Sequence, residues 1–349
     1  MSNKAYINSI STAVPPYKCH HEFLAMLPNL ASSHQDKTKL RRMARNSQID
    51  TRYSVLVDVQ KEEQGKETFY RSGHYPSTAE RMKVYEREAI ELSVKAAEPL
   101  VQNPEQITHL IVTSCTGFYA PGLDVDIVQR LGLSPNVERN LIGFMGCYAA
   151  FNGLKLANHI VGAKPDSQVL MVNTELCTLH LQENVPFDQL VSFLLFADGA
   201  AASIVSSKPQ GLAIEQTYNA LLSDSYRDMS WRIGNQGFKM TLATTVPATI
   251  RKALGEEISH VVGEKDRIRF WAIHGGGRKI LDEIQEELGL SDDDMHNSRD
   301  VLRRYGNMSS PTVMFALKAI LEDRNIKGLG CAMAFGPGLT LESMILEKQ

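Results

Sequence analysis

Residues 109–134, HLIVTSCTGFYAPGLDVDIVQRLGLS, and residues 269–291, RFWAIHGGGRKILDEIQEELGLS, follow the same plan. Each begins with a short apolar run, continues through a glycine-containing turn into an amphipathic segment, and ends in LGLS. The apolar run predicts a buried strand, and apolar residues at 280, 281, 284 and 288 have the spacing of a helix. Alternation of strand and helix predicts an α/β fold.

A second pair of segments repeats in the same order. GFMGCYAAFNGLK (143–155) aligns without a gap on GNMSSPTVMFALK (306–318), with glycine, methionine, leucine and lysine in register. Two ordered matches predict duplicated halves, residues 1–208 and 209–349, meeting near SSKPQG (206–211). A pseudo-twofold axis would then bring the equivalent loops together at the centre. The alternative is a coincidence between permissive patterns.

Composition excludes several classes of protein. The 349 residues include 37 basic and 40 acidic residues, so no global charge would attract nucleic acid or an anionic membrane. The five cysteines are widely spaced without a CxxC pair, which favours a reduced cytoplasmic setting over a disulfide framework or zinc site. No apolar run approaches the roughly 18 residues of a membrane span, and the N-terminal residues lack a signal-peptide pattern. We expect a soluble cytoplasmic protein.

Cys147 follows the turn GFMG and precedes an apolar helical segment. Free backbone N–H groups and the positive end of a helix would lower the pKa of a thiol there. The alternative is an inert buried cysteine that acts as a small hydrophobic residue.

His274 and Asn307 are the polar residues that the repeat would place opposite Cys147. His274 ends a predicted strand and opens a glycine run, where active groups of α/β folds collect, although it could equally be a structural histidine. Asn307 lies three residues before Ser310, the predicted N-cap of a helix whose first residue is Pro311. Its amide is therefore expected to be free to donate, unless it is a simple turn asparagine.

These three residue types together suit thioester chemistry. A thiolate accepts an acyl group, and histidine and asparagine donors stabilise the enolate formed when a malonyl thioester loses carbon dioxide. No metal or organic cofactor is required.

The sequence resembles the type III polyketide synthases of the chalcone and stilbene synthase superfamily, with a bacterial-type pattern. The motifs are GFMGCYAAFNGLKLA, FWAIHGGGRKILD, YGNMSSPTVMFAL, LLFADGAAASIV and AFGPGLTLESMIL, which together extend along nearly the whole chain. The resemblance implies a thiolase-like αβαβα layered sandwich built from two duplicated halves, and a homodimer. It implies that Cys147 carries the acyl chain and that His274 and Asn307 form the oxyanion pocket.

The resemblance also implies a set of binding residues. Phe196 matches an aromatic gatekeeper, whereas the second gatekeeper position carries Met240, and Ala120 would reach only slightly into a partner's cavity. The remaining expected substrate-binding residues are Cys177, His180, Trp231, Ser309, Gly336, Pro337 and Gly338. Lys39, Arg42 and Gly276 are expected to bind CoA, although Lys39 and Arg42 could belong to an ordinary solvated helix face.

Three functions follow from this pattern. The first is iterative condensation of an acyl-CoA starter with malonyl-CoA, followed by cyclisation. The second is a single condensation of the 3-ketoacyl-acyl-carrier-protein synthase III type, against which AFGPG and the glycines after His274 argue. The third is a non-catalytic protein of the thiolase fold, which the joint presence of Cys147, His274 and Asn307 disfavours.

The pocket residues favour an aliphatic starter. Trp231 would fill the space that a bulky aromatic starter needs, small Cys177 would open an apolar tunnel, and flexible Met240 would adapt to a linear chain. We therefore expect an alkylpyrone, alkylresorcinol or related small ring as product. Alternatively, Trp231 shrinks the pocket so that only short starters or few extensions fit.

Overall fold

The strands and helices expected from the repeat are present in the structure, a computed structural model that describes residues 4–31, 33–56, 69–70, 73, 75–183, 185–222, 225–263 and 265–349. The strands are β1 (Tyr6–Ala13), β2 (Tyr17–Lys18), β3 (Tyr53–Ser54), β4 (His109–Ser114), β5 (Glu138–Gly143), β6 (Val169–Leu176), β7 (Asp198–Ser206), β8 (Leu212–Leu221), β9 (Met229–Gly234), β10 (Gly237–Leu242), β11 (Ile268–Ile273), β12 (Gly328–Gly336) and β13 (Thr340–Lys348). The α-helices are α1 (His20–Leu30), α2 (His34–Arg45), α3 (Thr78–Ala97), α4 (Leu123–Leu131), α5 (Ala149–Ala163), α6 (Phe187–Phe193), α7 (Val246–Val262), α8 (Arg278–Leu288), α9 (Asp292–Tyr305) and α10 (Pro311–Glu322). Short 3₁₀ turns occupy Glu98–Leu100, Pro104–Gln106, Gly146–Tyr148, Cys177–His180 and Lys265–Arg267.

The two repeated segments have the same local structure. β4 leads into α4 and β11 leads into α8, and both helices end at a left-handed glycine, Gly132 (φ 63°) or Gly289 (φ 54°). The next leucine, Leu133 or Leu290, donates its N–H to a carbonyl five residues earlier, at 3.0 Å and 2.9 Å respectively. This bond belongs to a helix ending that requires a residue with positive φ. The shared LGLS therefore encodes a shared helix stop.

Nine of the described strands form one sheet in the order β11-β12-β13-β8-β1-β7-β6-β4-β5. Within the first half β4 is parallel to both β5 and β6, and within the second half β11 is parallel to β12. The two halves join through β1 and β8, where Tyr6 and Ile7 pair with Ala213 and Leu212. The sheet order is therefore consistent with two strand sets that meet at β1 and β8.

Helices α5 and α10 form the central layer. α5 packs on β4, β6 and β7 of the first half and contacts β13 of the second, while α10 contacts β1 and β7 as well as β11 and β12. Residues 311–317 of α10 are all buried, as expected for a helix that is apolar on every side. α3 and α4 cover the outer face of the first half, and α7, α8 and α9 cover that of the second. The chain thus has the thiolase-like αβαβα fold.

Helices α5 and α10 begin close together, and this arrangement positions the site. Cys147 lies in the 3₁₀ turn before α5, and Asn307 and Ser309 lie just before α10. Ser310 does precede the helix, but its side chain makes no capping bond. Its hydroxyl donates instead to Glu175 Oε1 at 3.2 Å, so Ser310 is the N-cap residue and Pro311 the first residue of α10, as predicted, without a side-chain capping bond. Among the helices that the structure describes, none is both long and apolar enough to cross a membrane.

Candidate active site

Cys147 follows a tight turn that favours glycine. Gly146 has φ 79°, and a Cβ on it would lie 2.4 Å from Cδ of Pro337. On the other side, a Cβ on Gly336 would lie 2.6 Å from the Tyr148 ring and 3.4 Å from the Cys147 nitrogen. The 336–337 turn of the second half therefore packs directly on the backbone of the cysteine.

Burial dominates the acidity of Cys147. It raises the pKa of the thiol to about 11, and hydrogen bonds with Ser309 and Asn307 lower it only in part. The buried carboxylate of Glu175 raises it further. The expectation that the helix start lowers this pKa below that of a free cysteine was therefore wrong for this closed site.

His274 presents two free ring nitrogens. Its backbone N–H donates to Met333 O at 2.9 Å, which continues the pairing of β11 with β12 beyond the strand. The side chain is buried, and neither Nδ1 nor Nε2 has a hydrogen-bond partner among the described residues. Burial lowers the pKa of His274 to about 4, so the ring is neutral at pH 7. Buried polar atoms are usually paired, and this ring is therefore available to a ligand.

Asn307 is joined to the gatekeeper position by backbone hydrogen bonds. Its N–H donates to Leu195 O at 2.8 Å, and its carbonyl accepts from Ala197 N at 2.9 Å, so that Phe196 and Asn307 form a parallel bridge. The side chain donates from Nδ2 to Gly276 O at 3.2 Å and accepts from Ser309 N at 2.8 Å. Its amide is therefore less free than expected, although one Nδ2 hydrogen remains beyond the bond to Gly276.

Two small adjoining cavities meet at Cys147. The first, about 20 Å³, is lined by Cys147, His274, Asn307, Gly276, Phe196 and Met240, together with Met229, Leu242, Ile280 and Phe335. The second, about 30 Å³, is lined by Cys147, Phe196, Met240, Cys177, Trp231, Ser309 and Pro337, together with Cys115, Thr116 and Gly146. Each is close to the size of one water molecule. Phe196 and Met240 line both cavities, and their role as gatekeepers stays a prediction.

His180 was predicted to line the cavity, and the structure places it behind the lining. Its Nδ1 accepts from Phe238 N at 3.1 Å, its Nε2 bonds to Thr116 O at 2.7 Å, and its ring stacks on Phe238. Both nitrogens are therefore occupied by backbone groups, and the ring meets Trp231 edge-on at 5.3 Å. The prediction was wrong because the intervening Trp231 takes the lining position.

The 336–338 turn is only partly at the cavity. Pro337 lines the second cavity, whereas Gly336 lies against the Cys147 backbone. A Cβ on Gly338 would meet Thr340 and Leu221, and Gly338 lines neither of the two cavities at Cys147, so its role in substrate binding stays a prediction.

The expected CoA residues other than Gly276 lie outside both cavities. Lys39 and Arg42 are exposed on α2, where the Lys39 ammonium lies 3.8 Å from Asp36 and 5.6 Å from the ring centre of Phe187. A separate surface cleft of about 690 Å³ between α1 and α2 is lined by Arg41 and Arg45 instead. CoA binding by Lys39 and Arg42 stays a prediction.

Sequence reasoning missed Glu175, which lies near the end of the buried strand β6. Its carboxylate accepts from Cys115 N at 2.9 Å, Thr116 Oγ1 at 2.8 Å and Ser310 Oγ at 3.2 Å, and so ties β6 to the start of α10. Burial raises the pKa of Glu175 to about 7, although these donors lower it. The signal in the sequence was an acidic residue at the end of the apolar run VLMVNTE.

Comparison with known proteins finds similarity along nearly the whole chain. The family profiles described as "Chalcone and stilbene synthases, N-terminal domain" and "Chalcone and stilbene synthases, C-terminal domain" match residues 2–209 and 213–348. "Alpha-pyrone synthesis polyketide synthase-like Pks18" of Mycobacterium tuberculosis is 32% identical over 273 residues, covering 74% of this chain and 70% of that protein. "Polyketide synthase 37" of Dictyostelium discoideum is 31% identical over 77% of this chain, which corresponds to only 10% of that much longer protein.

Solved structures extend the likeness to the whole chain. The crystal structure of PKS-I from the brown alga Ectocarpus siliculosus has a TM-score of 0.90 and 31% identity, covering 100% of this chain and 99% of that one. The C-terminal type III polyketide synthase domain of Steely1 from Dictyostelium, a type I/III hybrid, has a TM-score of 0.91 and 25% identity, covering 99% of both chains.

Proposed function

The chain belongs to the chalcone and stilbene synthase family, the type III polyketide synthases, and on that premise we propose the roles of its individual residues. It is an acyltransferase that catalyses Claisen condensation. Members of the family use acyl-CoA and malonyl-CoA as substrates. The observation that carries the assignment of roles is one cavity wall formed by Cys147, Asn307 and the unpaired nitrogens of His274.

We propose that Cys147 loads the starter. Its thiol proton passes to the neutral His274 ring as sulfur attacks the thioester carbonyl, because a thiol with a pKa of about 11 is protonated at pH 7. The tetrahedral intermediate then expels CoA thiolate, which takes the proton from His274. The starter remains as a thioester on Cys147.

During extension, His274 and Asn307 donate hydrogen bonds to the oxygen of an enolate. Loss of carbon dioxide from malonyl-CoA leaves an enolate, whose oxygen accepts hydrogen bonds from a His274 ring N–H and from Asn307 Nδ2. The enolate carbon attacks the thioester on Cys147 and releases the thiolate. The lengthened chain returns to Cys147 as its carrier CoA leaves, and the final poly-β-ketone cyclises beside Cys147.

The starter that we propose is aliphatic and the product an alkylpyrone, an alkylresorcinol or a related small ring. The indole Nε1 of Trp231 donates to Cys115 O at 2.7 Å, which fixes the ring across the space that a wide aromatic starter would need. Cys177 and Met240 leave a narrow apolar wall beside it. The name of the mycobacterial relative, which refers to α-pyrone synthesis, supports the pyrone among these products.

We infer three further features. CoA is bound by Lys39 and Arg42 on α2 and by Gly276 at the cavity. The duplicated halves are residues 1–208 and 209–349. The protein is a homodimer, and support for this comes from β5, an edge strand whose Leu141 and neighbouring Phe144 are 42% and 36% exposed.

The test of the residue roles is malonyl-CoA decarboxylation and product formation with a panel of acyl-CoAs, followed by mass spectrometry. His274→Ala and Asn307→Ala should each slow decarboxylation and condensation together by about 10²- to 10³-fold, the usual effect of losing one oxyanion donor. A variant that decarboxylates malonyl-CoA at the wild-type rate would remove that residue from the oxyanion pocket.

The starter class is tested in the same panel. Replacing Cys177 with phenylalanine should shorten the longest accepted starter and spare acetyl-sized ones, because the larger ring fills the second cavity. Wild-type preference for coumaroyl-type starters over all fatty acyl-CoAs would contradict the aliphatic proposal.

A further inference from the structure

Arg52 is a fully buried arginine behind the active site, outside the two cavities at Cys147. Its Nε donates to Nδ1 of His20 at 3.0 Å, and its Nη1 donates to the carbonyls of Phe193 at 2.6 Å and Phe196 at 2.9 Å. The guanidinium also lies 5.2 Å from the ring centre of Phe23. Arg52 is therefore directly bonded to the backbone of the proposed gatekeeper.

This arginine has no acidic partner at ion-pair distance within the described residues. Its three observed acceptors are neutral. Two are backbone carbonyls, and the third is His20, whose pKa is lowered to about 4 by burial and, secondarily, by the nearby Arg52 charge. Its Nη2 has no partner in the same part of the chain. Burial lowers the pKa of Arg52, and Coulombic interactions with nearby Cys19 and Asp198 offset this only in part, so a buried cation whose direct acceptors are neutral is costly. An apolar side chain of similar volume could fill the same space without this cost. Packing alone therefore does not explain why an arginine occupies position 52.

The side-chain stem of Arg52 also supports the loop that carries Asn307. A Cβ on Gly306 would lie 2.7 Å from Cγ of Arg52 and 2.9 Å from Leu195 O, and Gly306 has φ 71°. Gly306 thus lets the loop pack against the arginine, and the next residue forms the bridge with Phe196. One side chain therefore contacts both strands of that bridge from behind.

We propose that Arg52 is a positioning residue that fixes Phe196 and Asn307 relative to Cys147, and thereby sets starter selection and the coupling of decarboxylation to condensation. The inference rests on the proposed roles of Phe196 and Asn307. The planar guanidinium suits the task because it donates in several fixed directions at once, which the single ammonium of lysine cannot do. Loss of these donors would leave the carbonyls of Phe193 and Phe196 buried and unpaired.

Arg81 provides a matched control. It is also fully buried, it donates to the backbone carbonyls of Pro76 (2.9 Å) and Leu179, and it lies 5.4 Å from the ring centre of Tyr70. Its Nη2 likewise has no partner among the described residues. Substituting Arg81 therefore reproduces the loss of a buried arginine without touching the Phe196–Asn307 bridge.

The experiment compares Arg52→Lys and Arg52→Met with Arg81→Lys and Arg81→Met. Thermal unfolding, kcat and KM for acyl starters of increasing length, and the ratio of malonyl-CoA decarboxylated to product formed are measured on the folded fraction. Arg52→Lys should raise the starter KM, and the share of decarboxylation without condensation, by about 10- to 100-fold. Arg81→Lys should lower the melting temperature and leave the decarboxylation ratio within about twofold.

If Arg52→Met does not fold, a substitution of His20 tests the same proposal. His20→Leu removes the acceptor of Nε together with the His20 bond to the Ile49 backbone, leaves the Arg52 bonds to Phe193 and Phe196 in place, and should shift KM and the decarboxylation ratio in the same direction as Arg52→Lys, by less. If wild type is active and the Arg52 and His20 variants match those of Arg81, the positioning role is overturned. If wild type itself forms no product from any acyl-CoA, the proposed function is what fails.

Discussion

At the residue scale, two buried ionisable groups determine the chemistry of the site. Cys147 and Glu175 are both buried, and the transfer of either charge out of water is unfavourable, so burial raises both pKa values. The carboxylate of Glu175 also raises the pKa of Cys147. The acidity of the nucleophile is thus linked to a carboxyl group that no sequence motif marked.

Replacement of Glu175 by glutamine tests this link. The amide oxygen can accept from Cys115 N and Thr116 Oγ1, while the NH₂ group donates to Ser310 Oγ, so the bonds around the site are kept. Removal of the negative charge should lower the pKa of Cys147. Iodoacetamide alkylation of Cys147, followed against pH by peptide mass spectrometry, should therefore have its midpoint at lower pH in Glu175→Gln than in wild type.

The same variant has a defined effect on stability. The Glu175 carboxyl has a folded pKa of about 7, above its ordinary value of 4.5, so its stabilising contribution is complete below pH 4.5 and is lost as pH rises through 7. The melting temperature of wild type should fall relative to Glu175→Gln between pH 5 and pH 8, by the equivalent of at most about 3 kcal/mol. Parallel curves over that range would show that Glu175 does not titrate there.

At the scale of elements, two helix starts from different halves converge and a tight turn holds the nucleophile between them. The turn before α5 depends on Gly146, whose position leaves no room for a Cβ beside Pro337. The turn after α4 depends on Gly132, which also has a positive φ, although a Cβ there would meet nothing within 4 Å. An alanine at either position would strain the backbone, but only an alanine at 146 would also clash with a neighbouring residue.

Gly146→Ala and Gly132→Ala form a matched pair. Both should lose about 1–2 kcal/mol of stability because a side chain at positive φ is strained. Gly146→Ala should in addition displace the 146–148 turn from Pro337 and reduce product formation by about 100-fold, the effect of a displacement near 1 Å at a reacting group. Equal catalytic activity in the two purified variants would show that the contact with Pro337 does not position Cys147.

Many of the strands and helices could be predicted from the sequence, because the apolar periodicity of a strand or helix and the glycine that ends a helix are local features. The first LGLS segment correctly predicted that α4 ends at Gly132, and the aligned loops correctly implied that Cys147 and Asn307 lie together. The bond from Ser310 to Glu175 and the position of His180 behind Trp231 depend on partners far away in the chain. No local pattern specifies such partners. The bonds of Arg52 to His20, Phe193 and Phe196 could not be predicted for the same reason.

At the scale of the whole molecule, β5 lies at one edge of the nine-stranded sheet. An edge strand offers unpaired backbone groups, and Leu141 and Phe144 add exposed apolar surface beside it. Phe144 stacks on Phe118, two residues before Ala120, so this surface adjoins the loop that the family resemblance associates with the partner's cavity. A second copy of the chain is the partner that would cover it.

Leu141→Lys should therefore weaken the dimer, because a buried charge at the interface is unfavourable. Sedimentation at micromolar concentration should show a dimer for wild type and a monomer for this variant. Leu221→Lys is the control: Leu221 is 73% exposed, lies on β8 away from the sheet edge, and its substitution should leave the dimer intact. A dimer that survives Leu141→Lys would place the interface elsewhere.

The central claim is that Cys147 carries the growing chain, and three cysteines compete for that role because Cys115 and Cys177 line the same cavity. The most direct test is brief incubation of wild type with a fatty acyl-CoA in the absence of malonyl-CoA, followed by acid quench and peptide mass spectrometry. We expect one acyl group per chain, located on Cys147, and none on the 147 peptide of Cys147→Ala. Acyl transfer to Cys115 or Cys177 in wild type, or unchanged product formation by Cys147→Ala, would contradict the account.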